Sequence, residues 1–122
     1  MELSGFLTAM RERADLSLRG LKERAEDLDH AYIYRLEKGA RSAPSPEVRQ
    51  KLSQALQLDE REQAVLELLT EQSIDDALYR IMVNDRSLHW DDLRDAARSS
   101  FRGERPTTEE AWMRRIRMFQ EM

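Results

Sequence analysis

Apolar residues along the chain return every three or four positions, and no window alternates apolar with polar residues long enough to make a strand. That is the period of helices that each bury one face. The spacing predicts a first helix with Leu3, Phe6, Leu7 and Met10 on one side. Ser17 is placed to cap a second helix carrying Leu18, Leu21 and Ala25, because its hydroxyl can accept from the free N–H groups of a first turn. Asp29 is placed to cap a third, with Ile33 and Leu36 inward and Gly39 as its C-terminal stop. Two prolines make residues 39–46 a loop. Ser45-Pro46 then opens a fourth helix with Val48, Leu52, Ala55 and Leu56 as its buried stripe. Asp59 and Glu62 have capping-box spacing for a fifth helix through Ala64, Val65, Leu68 and Leu69.

The remaining stretch repeats the pattern with larger side chains. Ser73 and Asp76 bracket a helix start, followed by Ile74, Ala77, Leu78, Ile81 and Met82 on one face. A second stripe runs through Leu88, Leu93, Ala96, Ala97 and Phe101, and Arg102-Gly103-Glu104-Arg105-Pro106 breaks it. Thr107 with Glu110 is read as the cap of a last helix bearing Trp112, Ile116 and Phe119. The expected architecture is all-α: a five-helix domain over residues 1–70 and a three-helix domain over 71–122. Three helices in about 50 residues bury little apolar surface alone. The second domain is therefore expected to pair with another copy, and the Trp112, Ile116 and Phe119 stripe reads as core or dimer interface.

Composition narrows the chemistry. With 20 Lys and Arg against 24 Asp and Glu, the formal charge is −4, the wrong sign for indiscriminate coating of nucleic acid or membrane. The absence of cysteine removes disulfides, thiolate metal sites and thiol nucleophiles. The two histidines, His30 and His89, are too few for a self-contained His-based metal centre, and no metal or cofactor is expected. His89 reads as a helix-start or surface residue. Asp75-Asp76 and Asp91-Asp92 read as charges favoured at helix N-termini, since no nucleophile accompanies them. The opening MELSGFLTAMRER lacks a signal-peptide apolar core, and the longest apolar runs are a few residues. A cytoplasmic protein that is not an enzyme is the expectation.

Function concentrates in residues 16–39. Two short helices joined by a tight turn describe a helix-turn-helix, whose second helix lies in the major groove of DNA. With Ile33 and Leu36 inward, His30, Ala31, Tyr34 and Arg35 project outward as base-reading candidates, and Arg35 can offer a bidentate fork to guanine. Lys38 and Arg41, with Ser17 and Arg19 at the start of the second helix, are placed to meet phosphate. His30 could equally serve as a cap, and Tyr34 could pack on a neighbouring helix rather than touch a thymine methyl. Residues 1–70 are net −2, yet residues 35–51 hold Arg35, Lys38, Arg41, Arg49 and Lys51 against Glu37 and Glu47, a local +3. Arg114, Arg115 and Arg117 read as a solvated face or a second DNA contact.

Residues 3–69 resemble the Cro/CI-type (XRE) helix-turn-helix repressor domain. The likeness is carried by Leu16-Ser17, Tyr32-Ile33, Arg35-Leu36-Glu37-Lys38-Gly39 and the Pro44-Ser45-Pro46 entry to the fourth helix. Two departures stand out: Leu18 where that family usually has a polar phosphate-holding residue, and an acidic turn (Glu26-Asp27-Leu28) one residue longer. Phe101-Arg102-Gly103-Glu104-Arg105-Pro106 and the downstream Trp112 resemble the dimerisation domain of repressors partnered with ImmA/IrrE-type zinc metallopeptidases. That resemblance implies a stress-response repressor binding a palindromic operator as a homodimer, with peptidase cleavage near Phe101 and Arg102 relieving repression. An antitoxin or other protein-interaction module on the same fold is the alternative.

Overall fold

The computed structural model describes residues 1–26, 28–39, 43–99 and 104–121. Among them are eight helices and no strand: α1 (Leu3–Arg13), α2 (Leu18–Arg24), α3 (His30–Glu37), α4 (Pro46–Ala55), α5 (Glu60–Glu71), α6 (Asp76–Asn84), α7 (Trp90–Arg98) and α8 (Glu109–Gln120). They fall into two compact units, Glu2–Ser73 and Met1 with Ile74–Met122.

In the Glu2–Ser73 unit, each helix after the first starts on a side-chain cap. Ser17 Oγ accepts from Gly20 N–H at 2.9 Å, Asp29 from Ala31 N–H, and Ser45 from Val48 N–H with Pro46 in the first turn. Asp59 and Glu62 close the reciprocal capping box at 2.8 and 3.0 Å. Helix α1 packs on α3 and α5, α2 on α3, and α4 on α5. Phe6, Leu7, Leu21, Ile33, Leu36, Leu52, Leu56 and Val65 are all but inaccessible between them. Leu3, Leu18, Val48 and Ala64, expected inward, are only half-buried. Leu66, which the sequence reading left out, is buried as well. Helix α5 meets α1 and α4 together, so its buried face is wider than one stripe.

Glu62 has a second role. Its carboxylate, 7% exposed, also takes an ion pair from Arg13 of α1. The residue that caps α5 therefore also ties α1 to it.

The other unit is a three-helix cluster in which α8 packs on both α6 and α7. Two caps differ from the sequence expectation. Asp75, not Ser73 or Asp76, caps α6, accepting from Ala77 N–H at 2.9 Å and Leu78 N–H at 3.3 Å. Thr108, not Thr107, caps α8 through Ala111 N–H at 3.2 Å. In both cases the capping residue directly precedes the first helical residue, where its oxygen can reach the N2 or N3 amide. His89 caps α7, its Nδ1 accepting from Asp91 N–H at 3.2 Å.

Ile74, Ala77, Leu78, Ile81, Met82, Leu88, Leu93, Ala96 and Ala97 line the core as their spacing implies. Trp112 and Ile116 lie among them at 0% exposure. Of the two readings of this stripe, core or dimer interface, burial places these two side chains in the unit's own core, and presenting them to a partner would mean opening it. Phe119 is half-buried, and Met118 at 55% is the exposed large apolar side chain of α8.

The Trp112 indole N–H donates to Asp75 Oδ1 at 2.9 Å. One carboxylate thus caps α6 and satisfies the only polar atom of the largest core side chain. Arg105 lies over the same ring, 5.8 Å from its centroid, and donates to the Ala97 carbonyl at the end of α7.

Candidate nucleic-acid interface

Helices α2 and α3 form the helix-turn-helix. Leu21 of α2, Ala25 at its C-terminal end, Leu28 of the turn, and Ile33 and Leu36 of α3 are all buried, so apolar contact fixes the angle of the pair. Within the turn Glu26 takes a positive φ of 50°, unusual for a residue with a side chain.

Residues 33, 36 and 37 share the inward face of α3 by helical spacing. The third of them is Glu37, whose side chain is only 6% exposed. Its carboxylate accepts from Thr8 Oγ1 at 2.9 Å, Arg11 Nε at 2.8 Å and Arg11 Nη2 at 2.9 Å. Arg11 Nη1 also donates to the Leu16 carbonyl at 2.8 Å, just ahead of α2. The Glu37 hydrogen bond holds the Arg11 guanidinium above its ordinary pKa, against the opposing pull of desolvation. One bidentate pair therefore anchors α1, the approach to α2 and the last turn of α3.

Sequence reasoning used Glu37 in a motif and in the local charge balance, and did not assign a partner to it from Arg11 or Thr8. A signal was present: a carboxylate at i+4 from Ile33, on a face otherwise apolar, needs a cation when it is buried.

Pinning that face leaves the opposite one outward. His30, Ala31, Tyr34, Arg35 and Lys38 are all exposed, Tyr34 at 48%. His30, Tyr34 and Lys38 follow one i, i+4 row, with Ala31 and Arg35 on the row beside it. Asp29, not His30, supplies the cap of α3. The Lys38 ammonium lies over the Tyr34 ring, 5.5 Å from its centroid. Gly39 follows with φ of 89°, a left-handed stop where a β-carbon would strain the backbone.

Ser17 and Arg19 are exposed at the start of α2. The basic stretch over residues 35–51 divides on folding. Glu37 is matched internally by Arg11, leaving Arg35 and Lys38 to set the charge at the end of α3. Arg49 is engaged with Glu67 at 2.8 Å and with the Pro44 carbonyl at 2.7 Å. Arg41, Phe101 and Arg102 lie outside the described residues.

A buried scaffold presenting one helix with a polar, aromatic and basic outer face defines a helix-turn-helix protein. A family model described as a helix-turn-helix domain matches residues 2–66, just over half of the 122 residues, and the chain belongs to that family. Helix-turn-helix domains of this kind are typically DNA-binding, regulatory and non-enzymatic. No curated protein matches the chain. Among the described residues no helix is long and apolar enough to cross a membrane, and no three His, Asp or Glu side chains gather as a metal site.

Proposed function

We propose that the protein is a sequence-specific transcriptional repressor that binds a palindromic operator as a homodimer. The observation that carries the reading is the outer face of α3, whose side chains stand clear of a helix locked from behind by Ile33, Leu36 and the Glu37–Arg11 pair. Arg35 reads guanine by its bidentate fork, Tyr34 and His30 contact neighbouring base edges, and Ala31 allows close approach. Lys38, Arg19, Ser17 and Arg41 hold phosphates along the edges of the groove. A two-fold dimer sets the two recognition helices about 34–36 Å apart, one turn of DNA. With Trp112 and Ile116 interior, the second copy is proposed to meet the C-terminal unit around Met118 and Phe119. On the resemblance of residues 101–112 alone, a metallopeptidase cut at Phe101-Arg102 would dissolve the dimer and relieve repression.

The test is selection of genomic fragments with the purified chain, then footprinting and titration of wild type and Arg35→Ala on the enriched site. The expected result is a two-fold symmetric footprint and a loss of about 1–3 kcal/mol in the variant, with one base preference relaxed. Unchanged binding by Arg35→Ala at physiological salt would remove α3 as the reading helix. Failure to enrich any fragment would favour a protein-interaction role for the same fold.

A further inference from the structure

Lys38 stands where a phosphate contact is expected, but its geometry gives it a second task. The backbone around it is fixed on three sides. Glu37 is held inward by Thr8 and Arg11, the Lys38 N–H donates to the Tyr34 and Arg35 carbonyls, and Gly39 turns the chain away with a positive φ. Because Lys38 follows Tyr34 by one helical turn, its side chain emerges on the same row. There its ammonium covers one face of a ring that is otherwise half open to solvent. A cation above an aromatic face is attracted by the ring quadrupole, which restricts where the phenol can swing.

We propose that Lys38 is a positioning residue for Tyr34: by holding the ring from one face it sets the edge that Tyr34 presents to a base pair, so that sequence preference at that base pair depends on Lys38. This rests on the reading of α3 as the DNA-contacting helix. An ammonium over a ring retains N–H donors for a phosphate, so positioning and charge neutralisation coexist in one side chain. They are separable by measurement. A phosphate contact weakens all sequences alike and contributes about one unit of salt slope. A positioning contact changes the ratio between sequences at one base pair.

The experiment uses the full chain and a set of single-base variants of the enriched operator. Lys38→Met keeps an unbranched side chain, one atom shorter, and removes the charge; Lys38→Arg keeps a cation for the ring. Lys38→Met is expected to compress the preference at the base pair that Tyr34→Leu also affects, by about two- to five-fold. Lys38→Arg should retain that preference, and adding Lys38→Met to Tyr34→Leu should compress it no further. Equal loss by Lys38→Met at every base pair, with only the salt slope reduced, overturns the proposal and leaves Lys38 as a phosphate contact.

A DNA-free measurement separates failure of the pair from failure of the DNA-binding reading. Stacking should shift the Lys38 side-chain methylene proton resonances upfield in the free protein, and Tyr34→Leu should restore them. Absence of that shift overturns the pairing whatever the protein binds. If the shift is present but no operator can be enriched, the pair stands and the positioning role fails with the DNA-binding reading.

Discussion

Helix α3 carries Tyr32, Tyr34 and Arg35 and ends at Lys38, and α8 carries Trp112, Phe119, Arg114, Arg115 and Arg117. Both look, from spacing, like helices that meet something. They use their aromatics in opposite directions. In α8 the largest aromatic goes fully inside and is fastened to the cap of α6, while Arg114, Arg117 and Met118 remain exposed. In α3 the inward positions go to Ile33, Leu36 and an ion-paired Glu37, and Tyr34 is left exposed. An aromatic in an amphipathic helix thus marks either core or contact surface, and what decides between them is which other residues already fill the inward face. Helix α3 has two aliphatics and a paired carboxylate to bury; α8 has Ile116 and Trp112.

Four substitutions put this contrast at risk. Trp112→Ala should have the largest effect, about 3–5 kcal/mol, as the central side chain of its cluster is lost. Hydrogen exchange should place the loss in α6–α8, with α1–α5 protected as before; an effect below 1 kcal/mol would return Trp112 to the surface. Glu37→Ala leaves the Arg11 guanidinium mostly buried without its partner and should cost about 3 kcal/mol. Urea denaturation measures it, and a neutral result would mean that packing of Ile33 and Leu36 alone orients α3. Asp75→Ala removes a helix cap and strands the indole N–H together, an expected loss of about 2 kcal/mol accompanied by a shift in tryptophan emission. The smallest effect belongs to Gly39→Ala. Among the described residues, no atom beyond the chain neighbours lies within 4 Å of the added β-carbon, so the cost expected is that of the left-handed backbone, about 1 kcal/mol. A thermal melt matching wild type would show that the end of α3 can relax, and would weaken the account of how Lys38 is placed.

Much of the candidate site was legible because helical periodicity is a local property. Ile33 and Leu36 fix which face of α3 is buried, so the outward set of His30, Ala31, Tyr34 and Arg35 follows from sequence and appears in the structure. Caps were legible at Ser17, Asp29, Ser45 and Asp59. They slipped by a residue or two at Asp75 and Thr108, where neighbouring acids or threonines offered equally good oxygens. Where the charge of the basic stretch after α3 sits was not legible, because sequence does not reveal that Glu67 takes Arg49 while Arg11 offsets Glu37, which moves the local positive charge without reducing it.

By itself, then, the sequence determined an all-helical chain, the position of the helix-turn-helix and the face of α3 that looks outward. Each depends on spacing within a few residues and on the cost of leaving helix-start amides without partners. Only the tertiary structure decided that Trp112 and Ile116 are core rather than surface. It also decided that Asp75 serves a helix cap and an indole at once, and that Glu37 binds α3 to a helix 26 residues earlier through Arg11. Those outcomes depend on which charges and cavities are brought together by distant segments, and a buried carboxylate is tolerated only where the fold supplies its cation.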